Sequence, residues 1–340
     1  MFDCAQDIRN YHDEAVKLSE DTRGKLRECR NANRDRLKEN LEEKKKPSPL
    51  RFQKQGSYAM RTTIQEANNA YDIDDGVIFA KDDLKGDRGG DMTSLEARQM
   101  VCDALQDKRF NKKPEVLKNC VRVHYNDGHH VDVPVYRESG DEKTGFKCEI
   151  ASSEWKESNP AEINEWFDGQ LDKKRSDQDD ADPQMRRMIR LLKRYATSRA
   201  SWNLPSGFIL TILLDEKYSV FDERDDQCFY NLIVAIKNRL LFSLVVKNPV
   251  HDEILTNGNP DPKMESLRDK LGEAIEKLKV LFDSFDSKCT RPKALKAWAD
   301  VFNTDYFDAD IEECESKTSF VITGEQPNDP VHKAGGGRFG

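Results

Sequence analysis

Strand-like segments, Asp72–Phe79 and Val121–Tyr136, fall in the first half of the chain, whereas from about residue 158 the chain reads as one apolar-faced helix after another. Strands in one stretch and helices in another predict an α+β fold. The 340 residues suffice for one large bilobal domain or two closely packed ones. The helical reading also covers residues 5–46. Between Ser19 and Lys46, the apolar positions Leu26, Cys29, Leu37 and Leu41 recur at roughly helical spacing among many charges. This predicts a long support helix with one buried stripe, stopped by Pro47 and Pro49. Thr93–Leu105 predicts a further helix with Leu95, Met100, Val101 and Leu105 as its apolar positions. Later starts fall at Asn159-Pro160 and Asp182-Pro183; the second of these helices has Met185, Met188, Ile189, Leu192 and Tyr195 on one face. Leu204–Leu214, Gln227–Val246, Lys263–Phe285 and Pro292–Phe302 follow. The expected division is 1–157 for the sheet with the N-terminal helices, 158–307 for the helical lobe and 308–340 for a flexible C-terminal tail.

Bulk chemistry narrows the function. A net charge of −8 argues against broad nucleic-acid binding, although 55 Lys and Arg leave room for a local basic cleft. The longest apolar runs, Phe208–Leu214 and Leu240–Val246, are far too short to span a membrane. Met1-Phe2-Asp3-Cys4 has no signal-peptide pattern, and none of the eight cysteines forms a Cys-x-x-Cys. Reduced core thiols in a cytoplasmic protein are the expectation, with no zinc site and no disulfide framework.

The chemistry-bearing residues are Gly56-Ser57, then Asp72-Ile73-Asp74-Asp75, then Asp132 within His130-Val131-Asp132-Val133. Residues two apart on a strand share a face, so Asp72 and Asp74 point together and Asp75 points the other way. Two close carboxylates suit Mg²⁺, and Asp132 on a neighbouring strand completes a two-ion set for in-line phosphoryl transfer. Gly56 permits close backbone approach to phosphate, and Ser57 offers a hydroxyl and an N–H to it. Each fragment alone is a common turn or strand edge; their order and spacing together carry the reading. Val121–Tyr136 is a hairpin whose register follows from its pattern. A two-residue turn at Asp127-Gly128 would put Asp132 among Val121, Val123 and Tyr125. A three-residue loop with Gly128 left-handed segregates Arg122, His124 and Asp132 from the apolar side chains. The second choice predicts Arg122 beside Asp132.

The flanks Phe52-Gln53-Lys54-Gln55-Gly56-Ser57-Tyr58, Tyr71-Asp72-Ile73-Asp74-Asp75-Gly76-Val77 and His130-Val131-Asp132-Val133-Pro134-Val135-Tyr136 resemble the bacterial cGAS/DncV-like nucleotidyltransferases (CD-NTases) of CBASS anti-phage systems. Ser153–Pro160, Trp166-Phe167 and Leu191–Tyr195 agree with that resemblance. It implies a polymerase-β-like nucleotidyltransferase lobe with a mixed sheet, next to a helical lobe. It implies that nucleoside triphosphates, ATP alone or with GTP or another, are joined and cyclised into a diffusible di- or trinucleotide that reaches a downstream effector. Asp72, Asp74 and Asp132 are then the catalytic, metal-binding acids for two Mg²⁺ (or Mn²⁺), with Ser57 and, more weakly, Gln55 at the triphosphate. No zinc-binding insert is visible, so no DNA requirement is expected. Other readings are a general nucleotidyltransferase acting on RNA or protein, and a nucleotide-binding pseudoenzyme scaffold.

Lys193 lies about 110° from the centre of its helix's apolar stripe, at ~100° per residue. It reads either as a triphosphate-holding lysine or as a snorkelling surface lysine. Arg61 and Arg122 are candidates to face nucleotide, Arg122 equally the ion-pair partner of Asp132. His124, His129 and His130 read as a polar hairpin tip. The Gly335–Gly340 end reads as disordered or, by the resemblance, as a substrate for a ubiquitin-transferase-like enzyme acting on Gly340.

Overall fold

Two hydrophobic cores organise the chain, one under a mixed sheet and one among helices. The computed structural model describes residues 2–66, 71–86, 89–141, 143, 145–175, 181–221, 223–282 and 289–323, with side chains to 316 in the last helix. The Gly335–Gly340 tail and its Gly340 lie outside the described residues, as does Phe285.

The sheet is built around β2 (Asp72–Ala80). One edge of β2 pairs antiparallel with β1 (Arg51–Gln55). The other pairs in parallel with β5 (His130–Val133) over its first residues and with β6 (Val135–Ser139) over its last. Pro134 separates β5 from β6 and has no N–H to donate, but its carbonyl still accepts from Val77 N–H at 2.9 Å. The expected single hairpin strand is therefore two strands. Each gains its own antiparallel neighbour, β4 (Val121–His124) beside β5 and β7 (Lys147–Ala151) beside β6. Two short strands, β3 (Glu115–Val116) and β8 (Trp155–Glu157), close the outer edges.

The β4–β5 register is the one that segregates polar from apolar. Arg122 stands opposite Asp132 and Val123 opposite Val131. The three-residue loop closes with Tyr125 N–H donating to His129 C=O at 2.9 Å, and Gly128 takes φ +106°.

The face of β2 carrying Ile73, Asp75, Val77 and Phe79 is covered by α2 (Glu20–Glu43) and α4 (Ser94–Ala104). Asp75, 2% exposed, meets the fork of Arg34 from α2 at 2.5 and 2.6 Å. Asp75 is thus a structural ion pair under the sheet, not a ligand. Leu95, expected inside α4, is 57% exposed; Ala97 and Val101 face the sheet instead.

The N-terminal helix does not run unbroken over 5–46. It divides into α1 (Ala5–Tyr11), a π turn and α2, with the Ser19 hydroxyl capping the Thr22 N–H at 3.1 Å. Cys4, Ile8, Tyr11 and Val16 enter the helical core, not the sheet core, so the expected division at 157 does not follow the packing at this end. The helical core is otherwise built from α5 (Glu162–Lys173), α6 (Gln184–Thr197), α7 (Gly207–Lys217), α8 (Asp225–Phe242), α9 (Pro262–Phe282) and α10 (Arg291–Phe302). The tail expected from 308 is corrected at its start: α11 (Asp308–Thr323) is helical and packs on α10. Phe307 and Ile311, one turn apart, anchor it in the helical core. Among the described residues, no helix is long and apolar enough to cross a membrane, and the eight cysteines are free thiols.

Candidate active site

Strand pairing draws the acids into two cross-strand rows on the open face of the sheet. In one row, Asp74 on β2 is in register with Asp132 on β5, and Asp132 with Arg122 on β4. In the other, Asp72 is in register with His130, and His130 with His124. Alternation along each strand puts all six side chains on one face. Asp132 sits in the bidentate fork of Arg122 at 2.6 and 2.7 Å. Asp72, more than half exposed, lies 2.5 Å from His130 Nε2 and 3.6 Å from Arg122 Nη2. Asp74 has no such partner among the described residues. Burial first, then the charges of Asp132 and Asp72, push its carboxyl up to about 6 against the opposing pull of Arg122.

Gly56 is needed beside this acid. It takes φ +64°, and a Cβ there would stand 2.0 Å from Asp74 Oδ2. Gly76 is needed for a similar reason further along β2, where a Cβ would meet the Gln55 amide at 2.5 Å and the Tyr136 ring at 2.9 Å. The Gln55 amide is hydrogen-bonded to the Tyr136 hydroxyl, so Gln55 is held in place at the start of the turn. Ser57, on the single turn α3 (Gly56–Ala59), shares a 3.1 Å hydrogen bond with the Thr63 hydroxyl.

A cavity of about 930 Å³ opens between the sheet face and the helices, a volume suited to nucleotide-sized ligands. Gln55, Gly56, Ser57, Asp72 and Asp74 line the sheet side. Asp132 does not line it, being held back by Arg122. The helical side presents Lys193, Trp202 and Phe208. Lys193 is buried, donates to the carbonyl and hydroxyl of Thr62 at 3.2 and 3.0 Å, and is pushed by burial, then by Arg190, down to about 8. Lys193 is thus not a snorkelling surface lysine but a buried one that lines the cavity; a Cβ at Gly207 would already touch Lys193 Cε at 3.0 Å. Arg61 does not face this cavity but lines a separate one behind the turn.

Residues 50–136 match the family described as cyclic GMP-AMP synthase DncV-like, nucleotidyltransferase domain. The match ends within β6 and does not reach the helical lobe. A cyclic GMP-AMP synthase of Escherichia albertii is 26% identical over 219 residues, which cover 61% of this chain and 45% of that protein. The chain thus matches less than half the length of this curated relative. Solved structures share the fold over nearly the whole chain. Vibrio cholerae DncV, a cyclic AMP-GMP synthase solved with the linear intermediate 5′ pppA(3′,5′)pG, has a TM-score of 0.71 at 16% identity, covering 90% of this chain and 98% of that one. Escherichia coli DncV in its 3′-deoxy GTP bound form has a TM-score of 0.68 at 15% identity, covering 90% and 98%. The residues matched by the family model, 50–136, include Asp72, Asp74 and Asp132.

His130 is the contact that reasoning from sequence misses. The pattern groups it with His124 and His129 at the hairpin tip, yet its position two residues before Asp132 fixes it on the acid face. Only His129 behaves as a tip residue, stacked on Tyr125 with ring centroids 4.5 Å apart. His12, Asp13 and Asp182 also converge, but Arg190 donates to Asp182 at 2.7 Å and lies 3.1 Å from His12 Nε2. That cluster is an ion network closed by an arginine.

Proposed function

We propose that this chain is a cyclic oligonucleotide synthase that transfers NMP from an NTP to a nucleotide hydroxyl, releases pyrophosphate and then closes the ring. The observation that carries the proposal is the in-register pair Asp74 and Asp132, with Asp72 on the same face, beside Gly56-Ser57 and across a nucleotide-sized cavity from Lys193. Hard carboxylate oxygens, with Asp74 buried against the like charges of Asp132 and Asp72, fit a divalent cation that would offset that repulsion. Asp72, Asp74 and Asp132 would hold Mg²⁺, which when bound supplies charge for the pentacoordinate phosphoryl group and acidity for the attacking hydroxyl. Ser57 and the turn N–H groups bind the triphosphate, Lys193 neutralises it from the helical side, and Gln55 keeps the turn in place through Tyr136. Trp202, with the Arg199 guanidinium 4.6 Å from its ring centroid, places aromatic and cationic surface on the same wall for the nucleotide. The named activities of the relatives support ATP and GTP as substrates. The resemblance of the flanks extends the proposal to anti-phage signalling in the cytoplasm and to conjugation at Gly340.

The test is direct. Purified protein with labelled ATP and GTP and Mg²⁺ should give a phosphatase-resistant product, lost in Asp74→Ala and Asp132→Ala. A linear product, or label transferred to RNA or protein, favours the general nucleotidyltransferase reading. Phage plaque counts with the wild-type and Asp74→Ala proteins test the defence role.

A further inference from the structure

Behind the Gly56–Ser57 turn lies a second, smaller cavity of about 170 Å³. Its walls carry five cations, Lys17, Arg23, Arg61, Arg186 and Arg190, against Glu20 and Asp182. Asp182 is already engaged by Arg190 at 2.7 Å and Lys17 at 3.4 Å. Among the described residues, Arg23, Arg61 and Arg186 have no carboxylate within salt-bridge distance. Their donors are also mostly unspent. Arg23 gives one N–H to the Tyr58 carbonyl at 3.0 Å, Arg186 one to the Met60 carbonyl at 3.2 Å, and the exposed Arg61 side chain gives none. A guanidinium has five N–H donors, so a planar, charged donor surplus converges on the space. Burial, with like charge from Arg61 and Arg190, holds Arg23 and Arg186 below the ordinary guanidinium range. Such crowding in a chain of net charge −8 is relieved by an anion.

We propose that this cavity is a second anion site, for a small phosphate oxyanion such as orthophosphate or pyrophosphate. Forked guanidinium donors match tetrahedral oxyanions, and the volume is below the ~300 Å³ lower end for drug-sized ligand clefts. The site does not rest on the synthase reading. Thr63 lines both cavities and its hydroxyl contacts Ser57, so the two anion-facing spaces lie back to back through one side chain.

Calorimetric titration of the metal-free full chain with pyrophosphate, and separately with orthophosphate, tests it. The wild type should show saturable binding. Arg61→Gln with Arg186→Gln should remove or weaken at least tenfold a binding event that Ser57→Ala with Lys193→Gln leaves in place. Arg61→Gln alone, at an exposed side chain with no partner to lose, should weaken the same event and keeps the test valid if the double variant misfolds. The proposal is overturned if the wild type binds neither probe saturably, or if binding survives the arginine changes and disappears with Ser57→Ala and Lys193→Gln.

Discussion

The two faces of β2 carry the same side chain to opposite ends. On the covered face, Asp75 is sealed under α2 in the fork of Arg34. On the open face, Asp74 has like-charged neighbours, a glycine against its oxygen and a proton held up to about 6. One carboxylate is satisfied by an arginine; the other has no hydrogen-bonded cation among the described residues. A one-residue step along a strand separates the two roles.

The largest expected effect breaks the open face. Asp74→Asn should cut product formation by roughly 10³-fold or more, several kcal/mol of transition-state stabilisation, while the melting temperature holds or rises. Labelled-NTP turnover and calorimetry on one preparation check both halves. The covered face should respond in reverse. Asp75→Ala leaves Arg34 unpaired at the buried edge and should cost about 3 kcal/mol of stability, with turnover per folded molecule retained; urea melts measure it. Lys193→Gln acts from the helical wall and should raise the KM for nucleotide ~10–100-fold, on the order of the 1.5–3 kcal/mol of a charged hydrogen bond, with a smaller change in kcat.

The smallest effect is in pH. The folded value of Asp74 is raised from the ordinary 3.8 to about 6, so its contribution to stability is full below 3.8 and is lost as pH rises from there through about 6. The metal-free protein should therefore lose melting temperature across that interval, and Asp74→Asn should flatten this portion of the profile. A wild-type profile with no step near pH 6, or an unchanged step in Asp74→Asn, removes the contrast between the faces.

Much of the sheet is legible in the sequence because a strand has a period of two. Val121, Val123 and Tyr125 against Val131 and Val133 allow one register that buries them all, and that register sets Arg122 beside Asp132. The alternation of Asp72, Asp74 and Asp75 assigns their faces in the same way. His130 obeys this rule too, but its polar neighbours Asp127 and His129 disguise it as loop. The helices hide more. Lys193 sits at the margin of an apolar stripe, where helical spacing cannot tell a snorkelling lysine from a buried one. Acidic residues around Phe307 and Ile311 mask α11, and the break at Lys17–Ser19 has no proline or glycine to mark it.

By itself the sequence determined which acids share a face, which hairpin carries the third and which arginine stands beside it, because these follow from local backbone periodicity. Only the tertiary structure decided that Lys193 closes the cleft from the other lobe and that Arg61 turns to a second cavity. Those outcomes depend on residues more than a hundred positions apart meeting across the packed lobes, and no spacing along the chain encodes that distance.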